Sequence, residues 1–198
     1  MKNYTSILFD LDGTLTASGL GITKGVQYAL RKFNIEVNDL KSLERFIGPP
    51  LTDSFMEFYK FSKEDSEKAL SYYREYYGDI GIFENELYPG IISLLQELQK
   101  LKFDLYVATS KPATYAVKIC EYFDIAKYFI DIQGSDINAN LLKKTEIIEQ
   151  IITKHKLNKL QTLMVGDREH DVIGAVNNGI VCAGIGHGYG SKEELVKS

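Results

Sequence analysis

Long hydrophobic runs, runs of basic residues and cysteines at useful spacing are all missing from this 198-residue sequence. Ahead of Asp10, the segment Met1-Lys2-Asn3-Tyr4-Thr5-Ser6 meets only the three-residue apolar run Ile7-Leu8-Phe9. That run is too short for a signal-peptide core or a membrane span, so a cytoplasmic protein without a membrane partner is expected. Of the two cysteines, Cys120 falls in a helical pattern and Cys182 in an apolar strand-like stretch. Neither has a Cys or His at metal-ligand spacing, which argues against a bridge or a zinc site and for packing as small buried residues. A formal net charge of −4 and a pI near 5.5, with Lys and Arg scattered, leave no electrostatic footprint for a nucleic acid polymer. The three histidines, His155, His170 and His187, lack ligand spacing to one another and are given no metal or catalytic role.

What is present is an ordinary balance for a folded chain, 44% hydrophobic and 25% charged, long enough to bury a sizeable core. Apolar strand patterns at 7–9, 105–108, 129–132, 163–165 and 181–185 alternate, in the later part, with helical patterns at 114–123, 144–154 and 171–177. That alternation predicts an α/β fold, a Rossmann-like parallel sheet with helical crossovers. Residues 16–88 offer no convincing strand and read as helices at 22–33, 40–46, 52–59 and 63–77, punctuated by Gly48-Pro49-Pro50. The expected organisation is therefore a core of 1–15 and 89–198 carrying a helical insertion of 16–88. In the insertion's last helix, Tyr72, Tyr73, Tyr76 and Tyr77 share a face. With no basic groove beside them, they read as a packing stripe and not as a stacking platform.

Four short segments carry chemistry. Asp10-Leu11-Asp12-Gly13-Thr14-Leu15 follows the first strand, so Asp10 emerges at the edge where open α/β sheets bind ligands. Asp12 can act on the same small region, one carboxylate as nucleophile and the other as acid and base. Asp-Gly also makes ordinary turns, which is the bland reading of this stretch. Thr109-Ser110-Lys111-Pro112 follows the second strand and offers a hydroxyl to a phosphoryl oxygen, or simply a helix entry with a capping hydroxyl. Lys143 and Lys144 stand at the start of an amphipathic helix, where a positive charge opposes the helix dipole; a solvated lysine pair is the alternative. Gly166-Asp167-Arg168-Glu169-His170-Asp171 follows an apolar strand and supplies hard oxygen ligands of the kind Mg²⁺ takes, although Asp171 also suits a helix cap.

In order and context these segments resemble the four signatures of the haloacid dehalogenase superfamily, whose phosphatase branch carries Asp-x-Asp-Gly-Thr after the first strand. The insertion is similar to the helical C1 cap of phosphoglycolate phosphatase-like members. Ala108-Thr109-Ser110-Lys111-Pro112 and Gly166 to Asp171 look most like bacterial proteins called phosphoglycolate phosphatases or 5′-nucleotidases. Ala17 departs from that branch, which commonly has Asp there, and the change bears on local capping more than on chemistry.

The resemblance implies a Mg²⁺-dependent phosphatase of a small phosphorylated metabolite, phosphoglycolate phosphatase-like with a 5′-nucleotidase as the alternative, monomeric or weakly dimeric, working through an aspartyl-phosphate. Asp10 would be the nucleophile and Asp12 the acid and base. Asp10, the Asp12 carbonyl and Asp167 would hold the metal, with Asp171 as a further ligand or an outer orienter. Thr109, Ser110 and Lys144 would hold the phosphoryl group, Lys144 aligning better than Lys143 with the third signature. Residues 16–88 would act as a lid, and Arg45 could meet a substrate anion or serve only as a surface residue. A sugar phosphomutase shares this core. A dehalogenase lacks the second Asp, and a receiver-type phospho-acceptor module carries its Asp on the third strand without such an insertion.

Overall fold

The computed structural model describes residues 4–136 and 143–198; residues 1–3, which open the predicted core segment, lie outside the described residues. Strand β1 (Ser6–Phe9) is followed by helices α1 (Gly19–Arg31), α2 (Leu51–Tyr59) and α3 (Lys63–Asp79), then by α4 (Ile91–Lys100) and β2 (Asp104–Pro112). The chain continues through α5 (Ala113–Tyr122), β3 (Asp131–Ser135), α6 (Lys144–His155), β4 (Thr162–Gly166), α7 (Glu169–Asn177), β5 (Val181–Gly184) and α8 (Lys192–Lys197). No described helix is long and apolar enough to cross a membrane.

All five strands run parallel in the order β3-β2-β1-β4-β5, so the expected Rossmann-like sheet is present. Every residue of the central β1 is buried, which is why it reads as an unbroken apolar run. On one face Leu8, Tyr106, Ala108 and Met164 pack against Ile147, Ile148, Ile151 and Ile152 of α6 and Ala175 of α7. The isoleucine spacing that marked α6 is thus the spacing of its buried stripe. Cys120 is buried, Cys182 is half-buried, and both are free thiols.

Two sequence expectations shift. The third strand starts at Asp131 and not at Phe129, because β3 lies at the sheet's edge and its residues Asp131-Ile132-Gln133-Gly134-Ser135 need no continuous apolar run. Thr109 to Pro112 extend β2, and α5 opens directly after them with Pro112 at its cap position and no capping hydroxyl; a register shift between Ala108 and Pro112 carries the strand on to Ser135 of β3. In addition, 40–46 is a 3-10 helix, Leu40–Phe46, opened by the Asp39 carboxylate accepting from the Lys41 N–H.

Ala17–Glu86 form one compact unit, and the segments up to Thr16 and from Leu87 form the other. The Ala17–Glu86 unit is held by aromatic packing: the Phe46 ring meets Phe55 and Phe58 at 5.1 and 5.3 Å, and buried Tyr73 stacks on buried Tyr77 at 5.0 Å. Tyr72 meets Phe33 edge to face, and the Tyr76 hydroxyl donates to Glu84, so the tyrosine stripe is packing. Ser18, which precedes α1, makes no side-chain cap, and the Ala17 N–H donates to the Glu86 carbonyl.

Candidate active site

In the order β3-β2-β1-β4-β5 the connections run one way from β1 and then cross to the other side, so the crevice at the C-terminal ends of β1 and β4 is the switch point where such sheets take ligands. Asp10 leaves β1 there, its N–H donating to Val165 of β4, and Asp167 leaves β4 directly after Gly166. The strand ends and the start of α7 thereby gather Asp10, Asp167 and Asp171, whose carboxylate oxygens lie within 4.8 Å of one another, all buried.

Lys144, the first residue of α6, reaches into this cluster. Its ammonium lies 2.6 Å from Asp10 Oδ1 and 2.8 Å from Asp171 Oδ1, and donates to the Ala108 carbonyl of β2 at 2.9 Å. Gly174 of α7 gives the lysine stem its room, since a Cβ there would stand 3.0 Å from Lys144 Cγ. Burial pushes the Asp10 carboxyl up, to about 7; Lys144 pulls against that rise, and the charges of Asp171 and Asp167 add to it. Burial alone would lower Lys144, but Asp10 and Asp171 outweigh it and raise the lysine, so the ammonium is held charged. Lys143 is exposed and caps the helix start through its backbone, its N–H donating to the Glu146 carboxylate and its carbonyl accepting from the Glu146 and Ile147 N–H groups. Of the two lysines, Lys144 is the one at the site.

Asp167 is fixed from two sides. The Thr14 hydroxyl donates to Oδ1 at 3.1 Å and the Tyr189 N–H to Oδ2 at 2.7 Å. The glycines around it leave no space: a Cβ on Gly13, whose φ is +86°, would stand 2.3 Å from Asp167 Oδ2, and one on Gly188 equally close. Burial raises the Asp167 carboxyl, against the stabilising Tyr189 N–H. Asp171 Oδ2 accepts the N–H groups of Asp167 and Arg168 at 3.1 and 3.0 Å, which is its helix-cap role, while Oδ1 meets Lys144.

On the β2 side, Thr109 is buried and its hydroxyl oxygen accepts the Lys111 N–H at 3.3 Å, while the Ser110 carbonyl accepts the Ser135 hydroxyl at 2.9 Å. Asp12 stands apart from the three-carboxylate cluster and pairs instead with Lys111, Oδ2 to Nζ 2.6 Å. Lys111, Gly188 and Tyr189 carried no role in the sequence. The signal for Lys111 was its place in Thr109-Ser110-Lys111-Pro112, a segment already singled out. Arg45 lies exposed in the Ala17–Glu86 unit, its guanidinium 4.3 Å from the Phe58 ring centre, a cation-π contact that accounts for its placement there.

Three buried carboxylates, Asp10, Asp167 and Asp171, thus face one ammonium, Lys144, with Asp12 and Lys111 as a separate pair. Such a buried acidic excess of hard oxygens suits a divalent cation of the Mg²⁺ kind. The donor set fits the ion.

The haloacid dehalogenase-like hydrolase family model matches residues 7–185. A 5′-nucleotidase of Pseudomonas aeruginosa is 43% identical over 97% of this chain and 87% of its own length. A phosphoglycolate phosphatase of Vibrio parahaemolyticus is 28% identical over 97% of this chain and 88% of its own. The crystal structure of a predicted phosphatase from Clostridium acetobutylicum superposes with a TM-score of 0.95 at 47% identity, covering 98% of this chain and 90% of that one. With the family match running through nearly the whole sequence, the chain belongs to the haloacid dehalogenase-like hydrolases.

Proposed function

We propose that this hydrolase cleaves small phosphate monoesters with Mg²⁺, through an aspartyl-phosphate on Asp10. The observation that carries the reading is the Lys144 ammonium seated between Asp10 and Asp171 inside a buried three-carboxylate cluster. A monoester is inert in water, so its enzyme must supply charge neutralisation, a positioned nucleophile and a proton for the leaving oxygen. Asp10 supplies the nucleophile: ionised and held by Lys144, it attacks phosphorus in line. Asp12 protonates the leaving oxygen and then accepts a proton from the water that hydrolyses the intermediate. The Thr109 hydroxyl and main-chain N–H groups near Leu11, Asp12 and Ser110 hold the phosphoryl oxygens. Asp10, the Asp12 carbonyl and Asp167 would hold Mg²⁺, and Asp171, with both oxygens already engaged, orients Lys144 and the loop after β4. When bound, the ion neutralises phosphoryl charge and lessens the repulsion between carboxylate and phosphate.

Phosphoglycolate is one substrate class to test. The higher identity to a protein named 5′-nucleotidase, 43% against 28%, favours a nucleoside 5′-monophosphate as the second reading. The test is phosphate release by the purified protein with Mg²⁺ from phosphoglycolate, nucleoside 5′-monophosphates and sugar phosphates, ranked by kcat/KM. Release from at least one of these is expected. Interconversion of sugar phosphates with no phosphate released would replace the hydrolase by a mutase.

A further inference from the structure

The pair formed by Lys111 and Asp12 stands outside the three-carboxylate cluster and no step above uses its lysine. The Lys111 side chain is 5% exposed and that of Asp12 12%, so neither charge rests in bulk water. Lys111 takes Asp12 Oδ2 at 2.6 Å, while Asp12 Oδ1, fully buried, accepts no hydrogen bond among the described residues. One oxygen of the carboxylate is therefore clamped and the other kept bare. A carboxylate with one oxygen clamped and the other open exchanges a proton at one defined atom, here Oδ1. The clamp is itself anchored, since the Lys111 N–H donates to the Thr109 hydroxyl oxygen and ties its backbone to the residue expected to hold a phosphoryl oxygen.

We propose that Lys111 is a positioning residue for the second half of the reaction: it holds Asp12 so that Oδ1 takes the proton of the attacking water. In that step the water oxygen bonds to phosphorus, the bond between phosphorus and the Asp10 oxygen breaks, and the water proton passes to Asp12. Inorganic phosphate leaves and the Asp10 carboxylate is regenerated. The first half depends on Lys111 far less with an aryl phosphate, whose leaving group needs no proton. The inference rests on the phosphatase reading, and the two fail separately.

The experiment is pre-steady-state hydrolysis of p-nitrophenyl phosphate with Mg²⁺ by wild type, Lys111→Met and Lys111→Gln. Losing the orientation of an intact general base forfeits part of its ~10²–10⁴-fold contribution, so kcat should fall about 10- to 100-fold. KM should fall alongside it and kcat/KM hold within about threefold, the pattern of a slowed step after the first irreversible one. A burst of p-nitrophenol close to one per enzyme should appear, and acid quenching should trap protein phosphorylated at Asp10. Lys111→Gln keeps a donor on a side chain one atom shorter and without the charge, and decides the matter if Lys111→Met does not fold. Equal losses in kcat and kcat/KM, with no burst and no trapped phosphoenzyme, would overturn the inference and make Lys111 a ground-state binder or a structural ion. A wild-type protein that releases no phosphate from any monoester would instead defeat the proposed function itself.

Discussion

Helix α6 sets a lysine against an aspartate at both of its ends, and the two ends behave oppositely. At its first residue, Lys144, 4% exposed, meets Asp10 and Asp171; in its last turn Lys154, 58% exposed, meets Asp131 together with His155, each 2.8 Å from the same oxygen. The helix dipole favours cations at the C-terminal end and opposes them at the N-terminal end, so only the second arrangement agrees with it. The carboxyls record the difference. Burial lifts Asp10 to about 7 in spite of Lys144, whereas at Asp131 burial is outweighed by hydrogen bonds from Lys154 and His155, which hold that carboxyl below its ordinary range. Lysine and aspartate are common to both ends, so what sets them apart is exclusion of water together with a second and third carboxylate. An arrangement that opposes the dipole and crowds like charges is the costly one, and such cost is concentrated where chemistry is done.

The comparison breaks most sharply if Asp10 is made neutral. Asp10→Asn keeps the shape and leaves Lys144 its contact with Asp171, so thermal stability should hold while kcat for phosphate release falls on the order of 10⁵-fold. Retention of a hundredth of the wild-type rate would remove Asp10 from the nucleophile's role. Lys144→Met tests the other partner. It leaves Asp10 and Asp171 facing each other uncompensated, and denaturant unfolding should show a loss of about 3–5 kcal/mol with activity down about a thousandfold. Added Mg²⁺ should restore more stability to this variant than to wild type, because the ion would supply the missing positive charge. Equal stabilisation of both proteins would argue that Lys144 and the ion act on separate groups.

How far this was readable from residues alone follows the same division. Asp10 and Asp12 stood out because their environment is local, a buried strand running into an Asp-Gly turn. Lys144 was separable from Lys143 only through alignment to a family pattern, since the dipole argument applies equally to both; the fold distinguishes them by turning one inward and leaving the other exposed. Lys111 went unread because Thr109-Ser110-Lys111-Pro112 has the composition of a helix entry, and only pairing of Pro112 with Ser135 makes it strand. The polar edge strand was misplaced by two residues for a related reason, its ladder owing little to apolar pattern. Gly188 and Tyr189 were beyond reach: a Gly-rich turn after β5 gains meaning only when parallel pairing of β4 and β5 brings it against Asp167.

That turn provides the next test, one that perturbs the site end of the molecule without removing a charge. A methyl group at Gly188 would need the space of the Asp167 carboxylate, whose position the Thr14 hydroxyl and the Tyr189 N–H both fix. Gly188→Ala should raise the Mg²⁺ concentration for half-maximal activity about 10- to 100-fold, the usual penalty for displacing a metal-orienting group. Calorimetric titration of Mg²⁺ should shift in parallel. An unchanged Mg²⁺ requirement would show that Asp167 is not held by this turn in solution.

The smallest effect belongs to the exposed end. Asp131 has a folded-state pKa below its ordinary value, so its ion pairs contribute stability when the unfolded carboxylate is also ionised, and that contribution is lost as the pH falls through the folded-state value. With Lys154 largely in solvent, the contribution is that of a surface pair, about 0.5 kcal/mol. Asp131→Asn should therefore lower unfolding stability by about that much at pH 7, and the difference from wild type should close as the pH is lowered below about 4. Salt should shrink it further. Phosphatase activity should not change, because Asp131 enters β3 far along α6 from Lys144, at the end where lysine and helix dipole already agree. A loss of turnover in this variant would mean that the two ends of α6 are coupled, and that the strain at Lys144 is balanced through the helix and not within the site.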